Sequence, residues 1–294
     1  MDSKTIQEAL QGASFCLEQA GLEQSRVEAE ILLSNLMKTD PMHLFLNRDS
    51  EMPPLLDKMY CKAVKRRVNG EPSAYITGNK YFYGYRFIVN RNVLIPRSET
   101  ELIVESALKW VGLVGRRINQ PINCIDLGTG SGVLAITLAK KLHRAAFWAV
   151  DLSSAALETA KENAALLNVS ERICFLQGDY FKALVKLKEK PRFNLILSNP
   201  PYIRKSELNI LPAEVKDYEP IEALDGGEDG LDGYRAILDG LPQFVRAPAL
   251  LLLEIGAGRQ QEIELLCVKS GLFRSINWCY DLAGHPRVFE GYLR

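Results

Sequence analysis

One apolar run that stops abruptly restricts the fold of this chain more than any other feature. Phe193-Asn194-Leu195-Ile196-Leu197-Ser198 leads straight into Asn199-Pro200-Pro201-Tyr202. Such a run reads as a strand buried on both faces, as in a parallel sheet covered by helices. Neither proline can donate to a ladder, and each biases the residue before it toward extended geometry, so the chain must leave the strand end as a rigid corner. In open α/β sheets ligands bind at the carboxyl ends of the strands. Asn199 offers a carbonyl acceptor and an amide donor there, and the carbonyls of Asn199 and Pro200 add acceptors with no proline N–H to compete. The corner suits an –NH2 group, and Tyr202 adds a flat face for a planar amide or base. The competing reading is a strand followed by an ordinary proline-rich turn.

The chain around this corner alternates strand and helix. Strands are predicted near 122–127, 146–151, 173–177, 193–198, 249–255, 273–280 and 287–293, with helices near 132–142, 154–167, 232–246 and 259–270. The last two strands leave no room for a helical crossover and are expected as an antiparallel pair at one edge. The fold class is therefore α/β, a Rossmann-like seven-stranded sheet with an antiparallel edge hairpin, plus a small N-terminal helical bundle. In that bundle Ile6, Ala9, Leu10, Ala13 and Leu17 recur at helical spacing, then Val27, Ile31, Leu32 and Met37, then Leu55, Met59, Lys62, Ala63 and Arg66. Residues 1–71 carry no catalytic constellation and are assigned to substrate recognition. Their basic group Lys62, Lys65, Arg66 and Arg67 is either a solvated helix face or a contact for a phosphate or acidic partner. Residues 72–97 turn aromatic and β-branched around Gly84 and read as a hairpin linker, and 98–294 form the sheet domain. Ser98 and Glu101 stand at capping-box spacing and open a helix to about Val114, closed by Gly115 and Arg116-Arg117.

A second strand end carries a different chemistry. Asp126-Leu127-Gly128-Thr129-Gly130-Ser131-Gly132 is a strand entering a glycine-rich turn at the mouth of a helix, where backbone can approach a ligand closely. Asp151, ending the next strand 19 residues after Gly132, is placed to hold a ribose diol. The dinucleotide pattern asks for a third glycine where Val133 stands. Asp126 beneath the loop also suits an ammonium better than a pyrophosphate. S-adenosylmethionine offers that ammonium, a sulfonium and a ribose. Asp179 and Tyr180, after the third strand, then offer a carboxylate to the adenine amine and an aromatic face to its ring. Glu254, in Leu253-Glu254-Ile255-Gly256, reads as a surface acid at a strand end, with a second reading in which it faces the substrate pocket.

Composition narrows the class. Lys plus Arg and Asp plus Glu are 36 each, so no global basic field points to nucleic acid. Met1 to Glu8 hold no apolar signal core and Leu250 to Leu253 is too short to span a bilayer, so a cytoplasmic protein with no membrane partner is expected. The six cysteines lack a C-x-x-C pair and the three histidines do not cluster, which reads as buried reduced thiols and no metal.

Asp126 to Gly132, Asp151, Asp179 and Asn199-Pro200-Pro201-Tyr202 together resemble the Rossmann-type class I S-adenosylmethionine-dependent methyltransferases that modify planar –NH2 groups. Ile95-Pro96-Arg97-Ser98-Glu99-Thr100-Glu101, Glu219-Pro220 and Ala223-Leu224-Asp225-Gly226-Gly227-Glu228-Asp229-Gly230-Leu231, with the helical N-terminal domain, narrow the likeness to the HemK/PrmC family of peptide chain release factor glutamine methyltransferases. The resemblance spans nearly the whole chain. It implies methyl transfer from S-adenosylmethionine to the side-chain N(5) of the glutamine in the Gly-Gly-Gln tip of class I release factors, with S-adenosylhomocysteine as product. Where the family often has Pro and Trp, this chain has Ser98 and Tyr180. Asp126, Gly128, Thr129, Gly130, Ser131, Gly132, Asp151, Asp179, Tyr180 and Asn199 are the expected cofactor residues, and Asn199, Pro200, Pro201 and Tyr202 the expected substrate residues. Of these Asn199, Pro200 and Tyr202 are expected to serve catalysis, in a monomer that holds no stable nucleic acid. The alternatives are a glutamine methyltransferase of a ribosomal protein, an amino-methyltransferase of adenine or guanine in nucleic acid, and, from the glycines and Asp151 alone, a nicotinamide-dependent dehydrogenase.

Overall fold

The structure, a computed structural model, describes residues 4–114 and 121–293, in two compact units. The first runs to Asn79, past the expected close at 71, and takes in Pro212–Tyr218. It holds α1 (Ile6–Gln19), α2 (Ser25–Met37), α3 (Pro41–Leu46), α4 (Pro54–Val68) and α5 (Ser73–Thr77). Thr5 caps α1 in a full capping box with Glu8. The α1 stripe lies in the core as the periodicity predicts, but the stripes of α2 and α4 are turned by about one residue. The buried residues are Ala29, Leu32 and Leu33, then Tyr60, Ala63 and Val64, while Val27, Ile31, Leu55 and Met59 are exposed. Tyr60 fixes that rotation: its hydroxyl, carried into the core, donates to the Ala29 carbonyl at 2.9 Å. Of the basic group, Lys62, Lys65 and Arg66 lie on an exposed helix face, as one of the two readings has it, and Arg67 does not. Arg67 is buried between Glu28 and Glu214, and Arg66 makes a two-pronged pair with Glu71.

The second unit starts at Lys80, in β1 (Asn79–Phe82), which pairs with β2 (Tyr85–Ile88) as the hairpin expected around Gly84; Ser73–Thr77, in the expected linker, is helical. The hairpin turn, Tyr83-Gly84, has φ of 50° and 78°, the left-handed pair that matches strand twist. The Tyr83 N–H donates to Glu101 at 2.7 Å. That bond takes Glu101 away from the predicted capping box, and Ser98 donates to Glu99 instead. A short 3-10 turn, Ser98–Thr100, leads into α6 (Glu101–Val114); Gly115, Arg116 and Arg117 lie outside the described residues.

From there β3 (Asn123–Leu127), α7 (Val133–Lys141), β4 (Ala146–Asp151), α8 (Ser154–Leu166), β5 (Ile173–Gln177), α9 (Lys182–Val185) and β6 (Phe193–Ser198) follow in order. After α10 (Ala213–Lys216), part of the first unit, come α11 (Asp232–Phe244), β7 (Val245–Glu254), α12 (Gln260–Ser270), β8 (Phe273–Tyr280) and β9 (Pro286–Leu293). Seven strands form one sheet in the order β5-β4-β3-β6-β7-β9-β8, parallel as far as β7, with β9 inserted antiparallel between β7 and β8. Alternation along β6 serves two cores: Leu195 and Leu197 pack toward α6 and α7, Ile196 toward α11. The order reverses between β3 and β6, so their carboxyl ends flank a crevice. Of the cysteines only Cys124 and Cys267 are buried, and Cys16, Cys61 and Cys174 are exposed, which corrects the reading of buried thiols throughout. No described helix is long and apolar enough to cross a membrane, and no described His, Cys, Asp and Glu side chains group as a metal site.

Candidate active site

A cavity of about 750 Å³ opens at the carboxyl ends of β3, β4 and β6. Its floor is the glycine loop. The Gly128 and Thr129 N–H groups bond to the Val150 carbonyl, which ties the loop to β4, and the Gly130 N–H donates to Asp151 at 2.8 Å. Asp151 also accepts from the Ser153 N–H, so backbone fixes the carboxylate while its outer lone pairs stay available. Burial raises its pKa against those hydrogen bonds.

Asp126 is 2% exposed and lines the cavity. Oδ2 accepts from the Thr129 hydroxyl at 2.6 Å and from the Ala135 N–H at 3.2 Å, but Oδ1 is buried without a partner. An orphaned carboxylate oxygen is costly unless a donor meets it. Desolvation pushes the Asp126 pKa up to about 7, from where a neighbouring cation restores the charged form. That oxygen fits an ammonium group.

Gly128, Thr129, Gly130, Ser131, Asp179, Tyr180, Asn199 and Pro201 line the same cavity. Asp179 pairs with Lys182 at 2.5 Å, and Tyr180 is held at a φ of 45°. Three expected site residues also pack against the surrounding fold. Gly132, at φ 84°, works in packing: a Cβ there would stand 2.6 Å from Ile136 Cδ1 and 3.2 Å from Ala160, closing the approach of α7 to α8. Pro200 is buried against Gly233. Half-buried Tyr202 sets one ring edge against Gly256, and desolvation raises its pKa to about 12.

The corner itself is strapped from outside. Residues 223–231 fold back on it through Ile203 N–H to Leu224 O and Gly226 N–H to Ile203 O, and a Cβ at Gly226 would lie 2.8 Å from the Pro201 carbonyl. Arg97 pairs with buried Glu219 at 2.6 Å, and Glu219 also accepts from the Ile95 N–H. Thus the sequence segments around 95–101, 219–220 and 223–231 converge on the cavity. Thr100 was not among the expected site residues, yet it lines the cavity and its Oγ1 accepts from Asn199 Nδ2 at 3.3 Å. Its hydroxyl donates in turn to Glu254 at 2.5 Å. Glu254 is 2% exposed rather than a surface acid, because β9 covers the β7 end through the Glu254 and Val288 pairing. Asn163 is a further supporting residue, bonding both the Ile88 backbone and the Ser131 carbonyl from α8; a lone Asn inside a helix gave no sequence signal for this.

Residues 8–78 match the family described as the PrmC N-terminal domain, and residues 116–214 match the methyltransferase small domain. A release factor glutamine methyltransferase of Moorella thermoacetica is 38% identical over 99% of this chain and 99% of its own length. One of Cereibacter sphaeroides is 39% identical over 97% and 98%. Among solved structures the hMettl16 catalytic domain in complex with MAT2A 3'UTR hairpin 1 has a TM-score of 0.55 at 12% identity, covering 85% of this chain and 84% of that one, a likeness of fold.

Proposed function

The chain belongs to the family of release factor glutamine methyltransferases, and from that premise we propose that it methylates the side-chain amide nitrogen of the Gly-Gly-Gln glutamine in class I peptide chain release factors. The observation that carries this reading is that Asp126, with an unpartnered carboxylate oxygen, and Asn199 line one cavity. S-adenosylmethionine, when bound, supplies an electrophilic methyl on a sulfonium and leaves as S-adenosylhomocysteine. Asp126 would hold the ammonium, Asp151 the ribose diol, and Asp179 and Tyr180 the adenine.

An amide nitrogen is a poor nucleophile because its lone pair is conjugated with the carbonyl. Asn199 Oδ1 and the Pro200 carbonyl accept its two N–H groups and favour the nitrogen as it becomes tetrahedral. Each such neutral hydrogen bond contributes about 0.5–1.5 kcal/mol net, whereas holding two reactants in line supplies up to about 7–11 kcal/mol. Positioning therefore dominates. The methylated nitrogen, briefly cationic, is strongly acidic and passes its proton to water, so the site requires no histidine base. The helical unit carries partner recognition in this reading, supported by exposed Met42, Phe45 and Leu46 on α3.

Methyl transfer from labelled S-adenosylmethionine to a purified class I release factor, beside the same factor with its Gly-Gly-Gln glutamine changed to alanine, tests the proposal. Label on the unaltered factor alone is expected. Label on neither, with methylated ribosomal protein or nucleic acid found in extract, overturns the choice of acceptor.

A further inference from the structure

The reading above leaves Thr100 and Glu254 without a task, although both are buried and both connect to Asn199. The connection is directional. An ionised carboxylate can only accept, so a charged Glu254 obliges the Thr100 hydroxyl to donate to it. With its proton committed, Thr100 Oγ1 can only accept from the other side, and the group beside it is Asn199 Nδ2 at 3.3 Å. The amide nitrogen is thus held inward, and Asn199 Oδ1 is left as the acceptor on the cavity side. A protonated Glu254 reverses every arrow. Its O–H donates to Thr100, the freed Thr100 hydroxyl proton donates to Asn199 Oδ1, and the amide turns over to present its –NH2.

We propose that Thr100 and Glu254 are positioning residues, a hydrogen-bond relay in which the charge on Glu254 decides whether Asn199 offers an oxygen or an –NH2 to the methyl acceptor. This rests on the proposed function, in which the acceptor brings an –NH2 that an inverted Asn199 would meet donor to donor. Thr100 is 3% exposed and Glu254 2% exposed, so water does not compete for the bond between them, and half-buried Asn199 carries the relay to the cavity. Glu254 faces Arg97 and Glu99 from the segment entering α6, Arg287 from β9, Tyr202 from the corner and Tyr234 from α11. Both arginines are engaged elsewhere, Arg97 with Glu219 and Arg287 with Asp281, so neither makes an ion pair with Glu254. The Tyr234 hydroxyl goes to the Glu254 backbone carbonyl and leaves the side chain to Thr100. Burial accordingly outweighs the charges around it and brings the carboxyl into the range where it titrates near neutrality, at about 7.

Two measurements on the full chain test the relay. In the free protein, the Asn199 side-chain amide resonance, assigned by its loss in Asn199→Ala, is followed from pH 5 to 9. It is expected to shift with one titration near neutrality, and the shift is expected to vanish in Thr100→Val while Thr100→Ser keeps it. No titration in the wild type, or one that survives in Thr100→Val, overturns the relay, and this readout needs no methyl acceptor. In the transfer assay, kcat at saturating cofactor is expected to fall below neutral pH in the wild type. Thr100→Val is expected to lower kcat about tenfold, to abolish that acidic limb although Glu254 is still present, and to leave cofactor affinity unchanged. Thr100→Ser restores both rate and limb. An acidic limb retained in Thr100→Val, as a merely structural hydroxyl would give, overturns the proposal. A titrating Asn199 in a protein that labels no release factor instead overturns the choice of acceptor and leaves the relay standing.

Discussion

The two ends of the cavity each bury a carboxylate, but they assemble it in opposite ways. At the glycine-loop end, Asp126 takes its hydrogen bonds from Thr129 and Ala135, 3 and 9 residues along the chain. At the acceptor corner, Thr100 reaches Asn199 across 99 residues and Glu254 across 154. The first end is built by one strand, one turn and one helix start. The second exists only when the entry to α6, the end of β6 and the end of β7 are packed together. Asp126 lines the cavity with one oxygen unpartnered, whereas the Glu254 carboxylate accepts from Thr100. Loss at the loop end is therefore expected in affinity, and loss at the corner in turnover.

Asn199→Ala is the hardest blow to that division. It is expected to lower kcat about 10³-fold, the scale of removing a group that acts on the reacting centre. Cofactor affinity by calorimetry stays within about twofold; retained turnover would refute the corner as the site of chemistry. Next in size is a stability effect. The Glu254 carboxyl sits at about 7 in the fold against an ordinary 4.5, raised by burial. Its stabilising contribution is fully present below the unfolded value and is lost as pH rises through about 7, on the order of 3 kcal/mol when complete. Asp126, also at about 7, adds a loss of the same sign in the absence of a cation. Thermal unfolding between pH 5 and 9 should show Tm falling with pH, and Glu254→Gln should flatten the curve. The corner is then least stable at the pH where it is most active, and a Tm that rises with pH contradicts this.

Smaller still, Asp151→Ala is expected to weaken S-adenosylmethionine binding about 10–100-fold, the worth of one or two hydrogen bonds to a charged group. Its kcat at saturation should change only a few-fold, and unchanged affinity removes Asp151 from the ribose. Smallest is Gly132→Ala, which meets Ile136 and Ala160 at a positive φ. About 1–2 kcal/mol of stability should go, read by denaturant melts, with cofactor affinity nearly intact. A large affinity loss there would return Gly132 to the binding loop.

Much of this was legible before the structure, where the signal was local. Apolar runs ending in Asp126, Asp151 and Asn199 marked the parallel strands and the polar residues at their carboxyl ends, because a buried strand must be apolar on both faces and its polar residues fall at its tip. The segments around Arg97, Glu219 and Gly226 were visible as motifs without a visible reason; the reason is that they meet. Local patterns misled where a tertiary partner outbid them. Glu101 left its capping box for the Tyr83 N–H, and the α2 and α4 stripes turned to bring Tyr60 to Ala29.

The sequence by itself determined the class of fold, the glycine loop with its two acids and the proline-locked acceptor at a strand end, since each is dictated by neighbours within one or two turns of chain. Only the tertiary structure decided that Thr100 and Glu254 stand behind Asn199 and that Arg67 is buried between two glutamates. Those outcomes depend on strand order and on which side chains lose water together. Hydrogen-bond direction and desolvation are properties of such assembled neighbours, and no window along the chain contains them.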